Sequence, residues 1–372
     1  MAMDLHNLFA GSCWDVKADS EVIHTSERQL YHVPVNLEPA ENSSLQAALK
    51  YRCSDKVGVR FHRLPPVLVF HLERNMTLST ATGALATNRR FTFPQHVDLL
   101  RYSLDYDNPL ADRAAYEFVL AAVVVRGGDH CWTYAKIGTA WRLYDDAHTE
   151  LVSELPDSIF GGGEPGSGSA YLLMYEHKSR SLAAALPGRH HHGLGNPPVH
   201  QASGPVSYCC YANSVLQALA TLPEFHNVQW NGGTGGSGRH RELLRHMGVI
   251  MSSLTGARAP DPNSTVRFID AWQAYYAESQ NIPIQRRRWR TPSDPCEFFA
   301  EIISAIAKSA ESSPLFNSRD PEPAIASISG KPPSEARRSA GTSSRPRPRR
   351  PGPRRRRRQA EGPPPAKRRK SA

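Results

Sequence analysis

The spacing of apolar residues changes once along this chain, and that change limits the possible folds more than any single motif does. Up to His177 the apolar residues come in short β-branched and aromatic runs bounded by Gly, Pro and Asp, as strands do. LPPVLVFHLER (64–74), YEFVLAAVVV (116–125), CWTYAKI (131–137), TAWRLYDD (139–146) and AYLLMYEH (170–177) are the clearest. Breaks at Gly127-Gly128 and Gly138 link the middle three into an antiparallel meander. From Cys209 to Phe316 the period becomes helical. Ala212, Val215, Leu216 and Leu219 fall at i, i+3, i+4 and i+7, and Leu243, Met247, Ile250 and Leu254 form a second stripe. A third helix is expected from Asp294, with Pro295 in its first turn and Glu297 completing a capping box, burying Phe298, Phe299, Ile302, Ile303 and Ile306. Strands first and helices second, in 372 residues of which 40% are hydrophobic, predict an α+β fold with a substantial core.

A second change, of charge, comes near the C-terminus. The whole chain carries a net charge of +10, which on its own suggests a nucleic-acid protein. From Lys331 to Ala372, however, 16 Lys and Arg face 2 Glu, so residues 1–330 are net −4. The same tail has 9 prolines and almost no aliphatic residues, too little apolar surface to offset the entropy of ordering. Residues 317–372 are therefore expected to be a disordered basic tail. Its runs Arg354–Arg358 and Lys367–Lys370 suit a nuclear import receptor, a salt-sensitive contact with nucleic acid, or plain solvation.

Residues 178–204, rich in Ser, Pro, Gly and His, show no periodicity and are expected to be a linker in which His190, His191 and His192 sit in a solvated loop. The N-terminus lacks a basic region followed by an apolar core, and no apolar run approaches a bilayer span. A soluble, intracellular protein is expected. The six cysteines form no dense framework and no CxxC pair, which argues against structural disulfides and a zinc ribbon.

Nucleophilic chemistry has one candidate set. A thiol reacts when it is ionised, and a helix N-terminus and a neighbouring imidazole are the usual causes. Cys210 stands just before an expected helix, His130 in an expected hairpin turn, and Asp145 and Asp146 at the end of the adjacent strand. A histidine followed by a carboxylate one strand on can orient an imidazole as general base. Chance placement among 16 His and 6 Cys is the competing reading.

These residues also carry a resemblance. CYANSVLQALATLPEF (210–225) resembles the Cys box of the ubiquitin-specific proteases, Gly-Asn-Thr-Cys-Tyr-x-Asn-Ser-x-Leu-Gln. FVLAAVVVRGGDHCWTYAK with AWRLYDD resembles their His box, LPPVLVFHLER and AYLLMYEH their flanking strands, and DPCEFFAEII their Gln-Asp-x-x-Glu-Phe helix. Weaker similarity in NLFAG, QLYHVPVNL and SSLQAALKY extends the likeness over most of residues 5–315. The resemblance implies a papain-like cysteine protease fold with a helical thumb and antiparallel β palm and fingers. It implies Cys210 as nucleophile, His130 as general base, Asp145 as its orienting partner and Asp146 in support. Asp294, Glu297 and Tyr134 are implied to meet the substrate, ubiquitin or a ubiquitinated protein, and no cofactor or metal is implied.

The order of the segments is inverted relative to that family, whose Cys box comes first. Here 1–177 hold the fingers and palm with the His box, 178–204 link, and 205–316 hold the thumb with the Cys box, so the chain resembles a circular permutant. A flexible linker of about 25 residues has an r.m.s. span of roughly 25–30 Å, enough to join the displaced ends. Several residues depart from the family pattern, and Ser207, Tyr208 and Cys209 replace the Gly-Asn-Thr before the nucleophile. Pro205 stands where an Asn is usual and has no hydrogen to donate, Asp129 replaces a Gly beside His130, and Cys131 replaces an aromatic. A ubiquitin-binding pseudoenzyme of the same fold, and a nucleic-acid-binding protein driven by the tail, are the alternatives to a hydrolase.

Overall fold

The computed structural model describes residues 5–19, 22–37, 42–54, 58–74, 89–128, 130–163, 167–181, 192–194, 209–226, 237–256, 261–279 and 294–311. The basic tail, Asp129, His190, His191, Asn196 and Pro205 lie outside the described residues. Residues Met1–Asp320 form one compact unit.

Its centre is an eight-stranded sheet. Strands β7 (Glu117–Gly127), β8 (His130–Ile137), β9 (Ala140–Asp145) and β10 (His148–Val152) form an antiparallel meander, and β11 (Ser169–His177) lies on the other side of β7. Then come β5 (Val67–Glu73) and β3 (Val33–Asn36), while β6 (His96–Asp98) extends the β8 edge of β7. The turns are those the sequence marks: Gly128 and Gly138 have φ 61° and 63°, a region open to glycine and costly for most other residues. The expectation of an all-antiparallel sheet needs correction, because β3 pairs in parallel with β5. Helix α2 (Leu45–Arg52) and strand β4 (Val59–Arg63) intervene between them, supplying the longer connection that parallel neighbours need. A smaller sheet, in the order β2 (Val22–Leu30), β1 (Gly11–Asp19), β4, completes the β region.

Because side chains alternate along a strand, the large sheet feeds two cores. Val67, Val69, Ala122, Val124, Cys131, Ala135 and Met174 face the helices, and Leu68, Phe70, Leu72, Val123, Val125, Leu173 and Tyr175 face the opposite side with α2 and Phe91. On the helical side lie α1 (Leu5–Phe9), α4 (Cys210–Ala220), α5 (Pro223–His226), α6 (Gly238–Thr255), α7 (Pro262–Ser279) and α8 (Pro295–Glu311). Both expected helical stripes and the five apolar residues of the third helix are buried there. Each such Leu, Ile or Phe contributes about 1.5–3 kcal/mol of burial. Phe9 of α1 packs edge-on against Phe299 and Phe225, so the end of α1 is built into the helical core.

The described parts of the expected linker, residues 178–181 and 192–194, are more ordered than its composition suggests. Lys178–Ser181 form a short helix, α3, directly after β11. Farther on, Leu194 is fully buried and the His192 backbone N–H donates to Leu254 O at 3.0 Å, while its Nε2 lies 3.1 Å from Gly256 O. His192 is thus a packed residue, and the solvated-loop reading does not hold for it.

Candidate active site

The site forms where the β7–β8 and β9–β10 hairpins meet the N-terminus of α4. Cys210 is the first residue of α4 and is 4% exposed. The Ala212 and Asn213 N–H groups close the first turn onto Cys209 O, at 3.0 and 2.8 Å. The thiol therefore lies at the positive end of an eleven-residue helix. Thr133, buried on β8, donates through Oγ1 to Ser214 O at 2.7 Å and pins that helix to the sheet.

His130 opens β8, one residue beyond the turn in which the sequence places it. Its Nε2 lies 2.6 Å from Asp145 Oδ1, and its ring stacks on Trp132 with centroids 5.7 Å apart. An ionised carboxylate only accepts, so Nε2 carries the hydrogen and Nδ1 is the nitrogen left for the Cys210 thiol, the ring's other hydrogen-bond partner. Trp132 is held in turn by Gly168, where an added Cβ would lie 2.2 Å from the indole.

Charge at the site is set by these contacts. The Cys210 thiol is pulled down to about 5, first by hydrogen bonding from the Cys131 thiol and then by the His130 ring, against a burial penalty. Cys131, donating its hydrogen bond to the Cys210 sulfur and buried, is driven strongly upward. His130 is raised to about 9 by its bond to Cys210 and by Asp145, with burial opposing. Between those values the pair is thiolate and imidazolium, the reactive form of a cysteine nucleophile.

Asp146 is placed differently from Asp145. It turns the corner between β9 and β10 at φ 51°, the one described non-glycine residue with positive φ. Helix α4 holds it there: Asn213 Nδ2 donates to Asp146 Oδ1 at 2.8 Å, and Gln217 Nε2 donates to its backbone oxygen at 2.9 Å. Gly193 closes over the same corner so tightly that a Cβ would lie 2.3 Å from Asp146 O. Burial pushes the Asp146 carboxyl up, and the Asn213 amide pulls it back. Asn213, Gln217 and Gly193 have structural roles that the sequence reading did not assign, although Asn213 and Gln217 stood in the quoted Cys-box motif.

The remaining expected residues separate. Asp294 caps α8, its Oδ1 accepting from Cys296 N at 2.7 Å and Glu297 N at 3.2 Å. Its Oδ2 accepts from Tyr171 Oη and pairs with Arg126 at 3.4 Å. Glu297 is exposed. Tyr134 needs correction as a substrate contact: it is 8% exposed and packs with Trp141 and Val125 in the core on the sheet face away from α4. Cys131 and Thr133 occupy the alternate positions of β8 that face α4, so an aromatic at 134 points inward by strand periodicity.

The sequence model described as "Ubiquitin carboxyl-terminal hydrolase" matches residues 6–175. Drosophila melanogaster "Ubiquitin carboxyl-terminal hydrolase 7" is 32% identical over 139 residues, which make up 33% of this chain and 12% of that protein. Schizosaccharomyces pombe "Probable ubiquitin carboxyl-terminal hydrolase 9" is 30% identical over 123 residues, 32% of this chain and 20% of that protein. The chain thus spans a fifth or less of either relative's length. Among the described residues, no helix is long and apolar enough to cross a membrane. Through residues 6–175, a little under half of its length, the chain is similar to the ubiquitin carboxyl-terminal hydrolases.

Proposed function

We propose that this protein is a cysteine-type deubiquitinase that cleaves the isopeptide or peptide bond after the C-terminal glycine of ubiquitin. The observation that carries this reading is the His130 ring, bonded to Asp145 at 2.6 Å on one side and to the Cys210 thiol at a helix N-terminus on the other. The Cys210 thiolate attacks the glycine carbonyl carbon, and the π electrons move to the oxygen. The C–N bond then breaks as the imidazolium of His130 gives its proton to the leaving amine, which leaves a thioester on Cys210. His130, now neutral, takes a proton from water as the water attacks the thioester, the C–S bond breaks to restore thiolate and imidazolium, and ubiquitin leaves with a free carboxyl group that releases its remaining proton to solvent. Asp145 keeps the ring in the tautomer that faces the sulfur, and Asp146 supports the corner from which Asp145 extends.

In this reading the family's halves are joined in permuted order. The support is that a helix late in the chain, α4, completes a site with a hairpin early in it, and that the intervening segment packs at Leu194 beside both. Glu297 and Asp294 offer negative charge to the basic tail of ubiquitin, Glu297 more freely because Asp294 is already paired with Arg126. The basic segment after Lys331 serves nuclear import or a contact with nucleic acid.

A ubiquitin probe with a C-terminal electrophile tests the reading. Covalent labelling is expected for the wild type and for Cys209→Ala, and its loss for Cys210→Ala. An unlabelled wild type that still binds ubiquitin reversibly would instead establish the pseudoenzyme, for which Pro205, without a hydrogen to offer an oxyanion, is the sequence motive.

A further inference from the structure

A second cluster of chemistry-bearing residues lies outside the site described above. His32 sits in the bend between β2 and β3, His71 is on β5 opposite Pro34 of β3, and Cys296 is in the first turn of α8. One ligand atom from each comes within 4.8 Å of the other two. We propose that His32, His71 and Cys296 form a binding site for a divalent transition metal of the zinc class.

The donor set selects that class. Two imidazoles and a thiolate suit a borderline-soft ion, whereas magnesium and calcium take oxygen ligands. Tetrahedral zinc holds such ligands about 3.3–3.8 Å from one another, so the three need to close by no more than about 1–1.5 Å. His71 Nε2 is buried without a hydrogen-bond partner among the described residues, a cost that a metal bond would remove. The two rings meet edge to face, with centroids 6.1 Å apart, and Tyr171 packs on the far side of His71 at 4.9 Å. Cys296 is a buried free thiol. On binding it gives its proton to solvent and becomes a thiolate, so the ion and its ligands carry a net +1. Negative charge is at hand to balance this, since Asp294 acts on both His71 and Cys296 and Glu73, two residues along β5, acts on Cys296. A fourth position is left to water.

Such an ion would tie three distant segments together, joining the start of α8 to the β3–β5 end of the large sheet. No motif announces it, because the three ligands are far apart in the chain and no two share a helix or strand. The proposal does not depend on the deubiquitinase reading. The other histidine–carboxylate cluster, at His130, Asp145 and Asp146, belongs to the site already described.

Cobalt titration of the full chain in a Cys210→Ala background is the test, because tetrahedral thiolate ligation produces a sulfur-to-cobalt charge-transfer band. One equivalent of Co2+ is expected to produce that band, and zinc to abolish it by displacement. Cys296→Ser is expected to remove the band, and His71→Ala and His32→Ala to weaken cobalt binding at least about tenfold. Zinc is expected to raise the melting temperature of the parent and not of His32→Ala, a variant at a half-buried bend that leaves the core strands intact. Cobalt bound without the band, a band that survives Cys296→Ser, or equal affinity in His32→Ala would overturn the site. None of these readouts involves turnover, so a failed ubiquitin probe leaves them interpretable.

Discussion

Two clusters of histidine and cysteine lie between the large sheet and the helices, and their surroundings drive the same side chains in opposite directions. At the first, His130 is raised to about 9 and Cys210 lowered to about 5, because each bonds to the other, Cys131 bonds to the thiolate, and Asp145 backs the ring. At the second, burial lowers His71 to about 4, only partly offset by Asp294, and burial with nearby carboxylates pushes Cys296 up to about 12. Both thiols are at helix starts, Cys210 as the first residue of α4 and Cys296 in the first turn of α8, so helix position alone does not make a reactive cysteine. A thiol bonded to a carboxylate-backed imidazole does, whereas at the second cluster burial outweighs the pull of Asp294 and keeps imidazole and thiol neutral.

Breaking the first cluster should have the largest effect. In His130→Ala the thiolate loses its cation, and turnover of a ubiquitin C-terminal substrate should fall by roughly 1,000-fold or more. The pH dependence follows from the same pair. In the wild type the rate of Cys210 alkylation should have its midpoint near pH 5 and level off roughly one to two pH units above it, and deubiquitination should decline above about pH 9 as the imidazolium is lost. In His130→Ala the alkylation midpoint should move up toward an ordinary thiol. An unchanged midpoint would mean that Cys131 and the helix, and not His130, hold the thiolate.

A smaller effect is expected one step away, where α4 holds the corner of the β9–β10 hairpin. Asn213→Ala removes the donor to Asp146 Oδ1 and leaves a partly buried carboxyl short of a hydrogen bond. The cost should be about 1–3 kcal/mol in chemical denaturation, with kcat reduced and the Cys210 alkylation midpoint unchanged. A shifted midpoint would place Asp146 within the charge network of the thiolate, and so blur the separation drawn between Asp145, which backs the ring, and Asp146, which sets the corner.

What the sequence made legible follows from how local each signal is. Strand runs, glycine turns and helical stripes depend on neighbours within a few residues, and β5, β7, β8, β9 and β11 and helices α4, α6 and α8 appear where those signals stand. The candidate site was legible for a different reason: Cys210, His130 and Asp145 stood in recognisable motifs, and the structure brings His130 into bonding contact with both of the others. What escaped was long-range. The parallel pairing of β3 depends on the path of α2 and β4, and the burial of Leu194 in a Gly- and His-rich segment depends on a hairpin corner and a helix that the segment itself does not encode. Tyr134 stands at a motif position, and a motif does not specify which face of β8 that position occupies. The His32–His71–Cys296 cluster has no local signature at all.

The smallest expected effect concerns a group whose burial outweighs its hydrogen bond with Trp272. Glu301 lies on α8, past Cys296 and belonging to neither cluster, and burial raises its carboxyl to about 7. Its folded value is above the unfolded one, so the folded state holds the proton more tightly. The associated stability is present below about pH 4.5 and is lost as the pH rises through about 7. At pH 8 Glu301→Gln should therefore be the more stable protein, by on the order of 1 kcal/mol once solvent screening of a half-buried group is allowed for. Urea denaturation of both proteins at pH 5 and pH 8 measures this, and the difference between them should shrink at the lower pH. A pH-independent difference would mean that Glu301 ionises freely at its ordinary value. The contrast between the two clusters would then need to be argued from hydrogen bonding alone, without the contribution of burial.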